Sequence, residues 1–262
     1  MLLDERNGPR WDLPAPLTPP QTYIIASTPR TGSTLLCRML WATGRVGAPK
    51  EYLNPMQLRD WEVRMGSARS RWLHRALSGR RLVLAGQGWS HARLSAHLQR
   101  VRQRRSSGGW FGLKLHHHHR QRLVGEASRW ILLTRHDRVA QAVSWARALQ
   151  TNQWIGGEPP RPARYSRRLI RRCLSEIVSG EAIWEARLKA AGVAPLRLRY
   201  EDLATAPQLT VRAVLAHLAV SDTSESAALA PTLIRQADAT SAAWVSRFKS
   251  EIYKEVKWLS GR

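Results

Sequence analysis

Tyr23-Ile-Ile-Ala-Ser-Thr-Pro-Arg-Thr-Gly-Ser-Thr-Leu-Leu-Cys-Arg-Met-Leu-Trp-Ala-Thr-Gly44 is the stretch from which the fold is read. An apolar run, Tyr23 to Ala26, meets a turn made of Ser27, Thr28, Pro29, Arg30, Thr31 and Gly32. Ser33 then opens a segment with Leu35, Leu36, Met39 and Leu40 at helical spacing, and Gly44 stops it. The order is strand, loop, helix. A helix start carries unpaired backbone N–H groups and about half a positive charge. A loop that ends there with a guanidinium and several hydroxyls is a seat for an anion, and the ligand it suits carries phosphate or sulfate.

The same alternation recurs outward from this stretch. Trp110-Phe-Gly-Leu-Lys-Leu115 reads as a short buried strand that delivers Lys114 and the run His116 to His119 near its end. Trp130 to Thr134 reads as another, stopping at Arg135, and Asp137 is placed to cap a helix with Val139, Ala142, Val143, Ala146 and Leu149 on one face. Residues 91–105, 166–191 and 209–220 read as further helices, residues 195–200 as a fourth strand, and Ser106-Ser107-Gly108-Gly109 as a breaker. Arg and Trp alternate through residues 56–78, which predicts one basic amphipathic helix or two short ones with Trp61 and Trp72 turned inward. Residues 152–165, with Gly156, Gly157, Pro159, Pro160 and Pro162, form a loop long enough to carry function. Pro14, Pro16, Pro19 and Pro20 rule out continuous helix near the start, so residues 1–21 are expected as an extended arm and 22–262 as a single domain. Strands alternating with helices predict an α/β fold, a parallel β-sheet flanked by helices. Ligands of such sheets sit beyond the carboxyl ends of the strands. The opening loop, Lys114 with the histidines, Arg135 and Glu201-Asp202 all fall just past strand ends, so they are placed to converge.

A chain of 262 residues with 43% hydrophobic content suits one such domain with a sizeable core. The formal charge of +23 implies anionic partners: a nucleotide, a sulfated sugar, nucleic acid or a membrane surface. Of the 42 basic residues 36 are Arg, and they are spread along the chain, which fits a compositional bias at least as well as a nucleic-acid footprint. No recognisable nucleic-acid module is present, and no nucleic-acid partner is expected. Cys37 and Cys173 both lie in predicted helices, which argues against a disulfide framework and a clustered metal motif. No metal is expected. The first residues lack an apolar signal-peptide core, and the longest apolar runs fall far short of a membrane span. The expected compartment is the cytoplasm, with peripheral contact to a membrane surface left open by the charge.

The chain contains no G-x-x-x-x-G-K-[ST], which argues against an ATP or GTP loop. Pro29-Arg30-Thr31-Gly32-Ser33-Thr34 instead resembles the 5′-phosphosulfate loop of sulfotransferases that use 3′-phosphoadenosine 5′-phosphosulfate. Further blocks extend the likeness: Gly47-Ala-Pro-Lys-Glu51-Tyr, Phe111-Gly-Leu-Lys114-Leu, Arg135-His-Asp-Arg-Val-Ala-Gln-Ala-Val-Ser144 running on to Trp154, and Arg235-Gln-Ala-Asp238 running on to Trp244-Val-Ser-Arg247-Phe. Together they resemble the bacterial trehalose 2-sulfotransferase and lipopolysaccharide sulfotransferase family.

The resemblance implies a P-loop-like sulfotransferase fold and 3′-phosphoadenosine 5′-phosphosulfate as sulfuryl donor. It implies a carbohydrate or glycolipid acceptor and a homodimer. It places the donor against Thr28, Pro29, Arg30, Thr31, Gly32, Ser33 and Thr34, with Arg135, Ser144 and Arg138 at the nucleotide 3′-phosphate and Arg235 closing over it. It makes Glu51 the general base. Arg30 and Lys114 join it in catalysis by stabilising charge on the transferred group, although Lys114 also suits contact with the acceptor alone. Arg does not readily give up its proton, so the work expected of Arg30 is electrostatic. His116, Gln150 and Trp154 are expected on the acceptor side. For the histidine run a metal site and a catalytic base are competing readings. A small-molecule kinase with a degenerate loop, or a basic nucleic-acid-binding protein, are the alternatives for the whole chain.

Overall fold

The computed structural model describes residues 2–66, 68, 72, 89–118, 127–154, 162–221 and 238–260, the side chains of 256–260 excepted. Its centre is strand β1 (Gln21–Ser27), of which six consecutive residues are buried. The other strands are β2 (Ser106–Ser107), β3 (Trp110–His116), β4 (Arg129–Thr134) and β5 (Leu196–Arg199). Their order across the sheet is β2-β3-β1-β4-β5. β1 lies parallel to β3 and β4, and β4 parallel to β5; among the described residues only the β2–β3 pair is antiparallel. Ser106 and Ser107, expected as part of a breaker, form this short edge strand. The turn that follows, with Gly108 and Gly109 both at positive φ, folds the chain back onto Trp110 and Phe111.

Successive strand residues point to opposite faces, and β1 divides accordingly. Ile24 and Ala26 join Phe111, Leu113, Leu115, Trp130, Leu132 and Trp184 on one side. Tyr23 and Ile25 join Leu36, Leu40, Ile131, Leu133 and Val214 on the other. The first side is covered by α2 (Pro55–Met65), α3 (His91–Arg105) and α5 (Arg167–Ala190), the second by α1 (Ser33–Ala42) and α7 (Pro207–His217). A third apolar cluster joins α4 (Arg138–Thr151), α5 and α8 (Ala239–Ser260), where Trp244 and Phe248, one turn apart, pack with Ala142, Val143, Ala146 and Ile177. Asp137 caps α4 by accepting from Ala140 N at 2.8 Å, as its position predicts.

One expectation is corrected and two are filled in. Trp61 is buried but Trp72 is 70% exposed, because α2 stops at Gly66 and does not carry Trp72 onto the same face. Glu201 and Asp202 fall just past the end of β5, as expected, in the first turn of a short helix, α6 (Tyr200–Thr205). The Arg235 to Phe248 block, to which no element was assigned, contains most of the first half of α8.

The N-terminal segment holds two 3-10 turns, Glu5–Asn7 and Pro9–Trp11, where an extended arm was expected. Proline forbids long helix but permits single turns, and buried charges on the domain need partners. Asp60, fully buried, accepts from Leu3 N, Asp4 N and Asn7 Nδ2 at 2.8, 2.8 and 2.9 Å. Arg105, also fully buried, donates to the carbonyls of Arg6 and Trp11 and to Asp12. Lys50 reaches Asp4 at 2.8 Å and Asn7 at 2.9 Å. Among the described residues no helix is long and apolar enough to cross a membrane.

Candidate active site

The anion seat begins where β1 ends. Arg30 takes φ 68° and Gly32 φ 80°, a left-handed conformation that glycine adopts freely and arginine does not. Gly32 is fixed by packing as well: a Cβ there would stand 2.5 Å from Tyr200 Cδ2. The loop is braced from inside, with Thr31 Oγ1 donating to Thr28 O at 3.1 Å. It is braced from α4 by Gln141, fully buried, whose Nε2 donates to Thr28 Oγ1 at 2.9 Å and Pro29 O at 2.7 Å. Gly32 caps α1 without a side-chain acceptor, so the first-turn amides of α1 and the loop face the same seat.

Arg30 donates through Nε to Ser144 Oγ at 3.0 Å and through Nη1 to Trp154 O at 2.6 Å. Burial and the like charge of Arg135 pull its pKa down to about 10, so it is still a cation at neutral pH. The Arg135 guanidinium lies 4.4 Å from the centre of the Tyr200 ring. Arg30 and Arg135, both past strand ends, are close enough for their charges to interact, and Ser144 reaches Arg30 from within α4. Arg138 is exposed and turned to α5, pairing with Glu181 at 2.8 Å. Gln150 exchanges two bonds of 2.9 Å with the backbone of Arg164, tying together the ends of the loop between α4 and α5. Trp154 is 42% exposed and donates Nε1–H to Asn152 Oδ1 at 3.0 Å. Arg235 and His119 lie outside the described residues.

A second group of side chains gathers at the end of β3. Lys50 forms an isolated parallel bridge with Leu113, and Lys50 O accepts from Lys114 N at 3.0 Å, which seats Glu51 beside β3. Lys114 Nζ stands 2.5 Å from Glu51 Oε1 and donates to Thr34 Oγ1 at 3.0 Å. Its side chain is only 5% exposed; it spans the space between the phosphate-type loop and the carboxylate and is not in solvent. His116 Nε2 stands 3.2 Å from the same Glu51 oxygen. Asn54 Nδ2 donates to Glu51 Oε2 at 2.9 Å, and Asn54 also caps α2 through Met56 N.

The remaining histidines divide by environment. The ring of His117 lies flush on Gly180 of α5, where a Cβ would meet Nδ1 at 2.5 Å, and its Nε2 is 3.8 Å from Glu176 Oε2. Burial is the main cause of its lowered pKa. His118 lies beyond it, with its ring 5.8 Å from that of His116. Among the described residues no three His, Cys, Asp or Glu side chains are grouped to hold a metal ion.

Sequence reasoning missed Gln141, Tyr200 and Asn54, and read Ser27 as part of the turn without its contact to His116. Gln141 lies inside the α4 block and is the one amide on a buried apolar face. That signal was available. Tyr200, Asn54 and Ser27 act through contacts that no spacing reveals.

A family model, Stf0 sulphotransferase, matches residues 22–251. The trehalose 2-sulfotransferase of Mycobacterium tuberculosis (strain Erdman) is 27% identical over 262 residues, covering 87% of this chain and 94% of its own. That of Mycolicibacterium smegmatis is 28% identical over 269 residues, covering 90% and 97%. Among solved structures, the sulfotransferase domain from the curacin biosynthetic pathway superimposes with a TM-score of 0.50 at 20% identity, covering 86% of this chain and 82% of that domain. That likeness shows a shared fold.

Proposed function

The chain belongs to the Stf0 sulphotransferase family, and from that premise we propose that it moves a sulfuryl group from 3′-phosphoadenosine 5′-phosphosulfate to a hydroxyl of a carbohydrate. Trehalose, the acceptor in the names of the two mycobacterial relatives, is the first candidate, and the sugar of a glycolipid or lipopolysaccharide the next. The observation that carries this reading is Lys114, whose ammonium touches Thr34 at the head of α1 and Glu51 at once. One cation thus joins a seat for the donor to a carboxylate suited to an acceptor.

The donor set suits a phosphosulfate. The amides from Arg30 to Thr34 and the Arg30 guanidinium would surround the sulfonate and the 5′-phosphate, and Arg135 with Ser144 would take the 3′-phosphate. Arg30 would exchange its present bonds to Ser144 and Trp154 O for the donor. Arg138 and Arg235 stay as lesser candidates for the nucleotide. The acceptor oxygen attacks sulfur in line as Glu51 removes its proton. The S–O bond to the 5′-phosphate breaks, and 3′-phosphoadenosine 5′-phosphate departs with the electron pair. Arg30 and Lys114 stabilise charge on the sulfonate and the bridging oxygen, a kind of term that is usually the largest in enzymes. Gln150 and Trp154 would border the acceptor. Residues 22–262 are proposed as one catalytic domain working in the cytoplasm as a homodimer, a state that light scattering reads directly.

Incubation with labelled donor and trehalose or a glycolipid should yield a labelled sugar. Release of bisphosphate without label on any sugar would refute the transferase. Glu51→Gln should lower kcat by about 10²–10⁴-fold with bisphosphate binding intact; unchanged turnover would remove Glu51 as base.

A further inference from the structure

We propose that His116 is the positioning residue of Glu51: it is pinned through Nδ1 to Ser27 and aims the carboxylate by donating Nε2–H to Oε1. The proposal rests on Glu51 being the base.

The assignment follows from which atoms can donate. His116 is 7% exposed, with Nδ1 3.2 Å from both Ser27 Oγ and Ser27 O, and Nε2 3.2 Å from Glu51 Oε1. An ionised carboxylate only accepts, so Nε2 carries the hydrogen. At Nδ1 the ring has two options. As a neutral imidazole it accepts from the Ser27 hydroxyl; as an imidazolium it donates to the Ser27 oxygens. Nε2 donates in both, so the contact with Glu51 survives a change of charge on the ring. The proton taken from the acceptor rests on Glu51, and none crosses His116.

The anchor of the ring is rigid. Ser27 and His116 are paired across β1 and β3, and Ser27 O also accepts from Trp184 Nε1 at 3.0 Å. Ser27 is at the same time the last residue of β1 and the first step into the anion-binding loop. The line Ser27–His116–Glu51 therefore ties the direction of the base to the strand that sets the donor loop. Lys114 touches the same oxygen, but its ammonium is a point charge on a flexible stem and is shared with Thr34. A planar imidazole fixed at its far nitrogen gives Glu51 a direction. Among the described residues, Lys114 shares Glu51 Oε1 with the ring and His118 has its ring 5.8 Å away, while the charge of His116 also acts on His117, whose own ring packs on Gly180.

His116→Ala, His116→Gln, Glu51→Gln and the His116→Ala/Glu51→Gln double variant, assayed with labelled donor and trehalose, test this together with 15N–1H spectra of the histidine side chains. His116→Ala should lower kcat by about 10–100-fold while 3′-phosphoadenosine 5′-phosphate still binds within about two-fold. His116→Gln, whose amide extends toward the place of Nε2–H, should restore turnover to within about five-fold of wild type. In the Glu51→Gln background the added His116→Ala change should alter residual turnover by less than about two-fold, since it acts through Glu51. The His116 Nε2–H signal, identified by its loss in His116→Gln, should move in Glu51→Gln. Full kcat in His116→Ala, additive losses in the double variant, or an unmoved Nε2–H signal would each overturn the positioning role while leaving Glu51 as base. Full turnover in Glu51→Gln would instead overturn the base, and this inference with it.

Discussion

The two halves of the candidate site are built on opposite principles. The donor seat, residues 27–34, is one contiguous stretch whose chemistry comes mainly from backbone: two left-handed residues, the head of α1 and braces from Gln141. The Glu51 cluster is made of side chains from separate segments. Glu51 and Asn54 come from the connection before α2, Lys114 and His116 from β3, and Ser27 from β1. The first half depends on conformation, so its weak points are residues whose φ is hard to replace. The second depends on scaffolding, and its weak points include residues far from the chemistry.

Asp60 is such a residue. It holds Leu3, Asp4 and Asn7, and Asp4 and Asn7 in turn hold Lys50, the neighbour of Glu51. Asp60→Ala would remove a buried carboxylate that accepts from Leu3 N, Asp4 N and Asn7 Nδ2 and pairs with Arg59 at 3.0 Å. We expect a loss of about 3–5 kcal/mol in urea unfolding, and a loss under 1 kcal/mol would break the idea that this half rests on buried charge. Lys114→Ala removes the side chain that bridges Thr34 of one half and Glu51 of the other. We expect kcat to fall by about 10²–10³-fold, and a variant slowed less than about five-fold would show the halves to be independent.

Gly32→Ala probes the donor seat alone. Its left-handed φ costs about 1–2 kcal/mol for any residue with a Cβ, and the new carbon meets Tyr200. Affinity for 3′-phosphoadenosine 5′-phosphate, by calorimetry, should drop at least about ten-fold. Adding Tyr200→Ala should recover part of the loss if the ring contributes, and none if φ alone decides.

The smallest effect belongs outside both halves. Arg147 bonds Asp238, and with burial opposing it this bond holds the carboxyl down at about 2. A depressed carboxyl stabilises the fold above its unfolded pKa of 3.8 and loses that contribution as pH falls through about 2. Asp238→Asn should therefore cost up to about 1 kcal/mol at pH 7, because the group is half exposed and screened. The difference from wild type should vanish near pH 2.

The sequence by itself determined the run of strand, loop and helix around β1, the loop at its end as an anion seat, and the placement of Lys114 and Arg135 near strand ends. Those features are written locally: strand and helix periodicity, caps such as Asp137, and turn residues such as Pro29 and Gly32. The left-handed turn at Arg30 and the seating of Glu51 beside β3 came from the fold. Only the tertiary structure decided that Arg30 turns to Ser144 and Trp154, that Lys114 is buried between Thr34 and Glu51, and that Arg138 faces Glu181. It also decided that the N-terminal turns fold onto Asp60 and Arg105, and that Trp72 stays outside. The histidine run shows why. Its neighbours in sequence are nearly identical, yet His116 meets Ser27 and Glu51 while His117 lies on Gly180. Alternation along an extended chain sends adjacent side chains to opposite faces, and what waits on each face is set by segments distant in the chain.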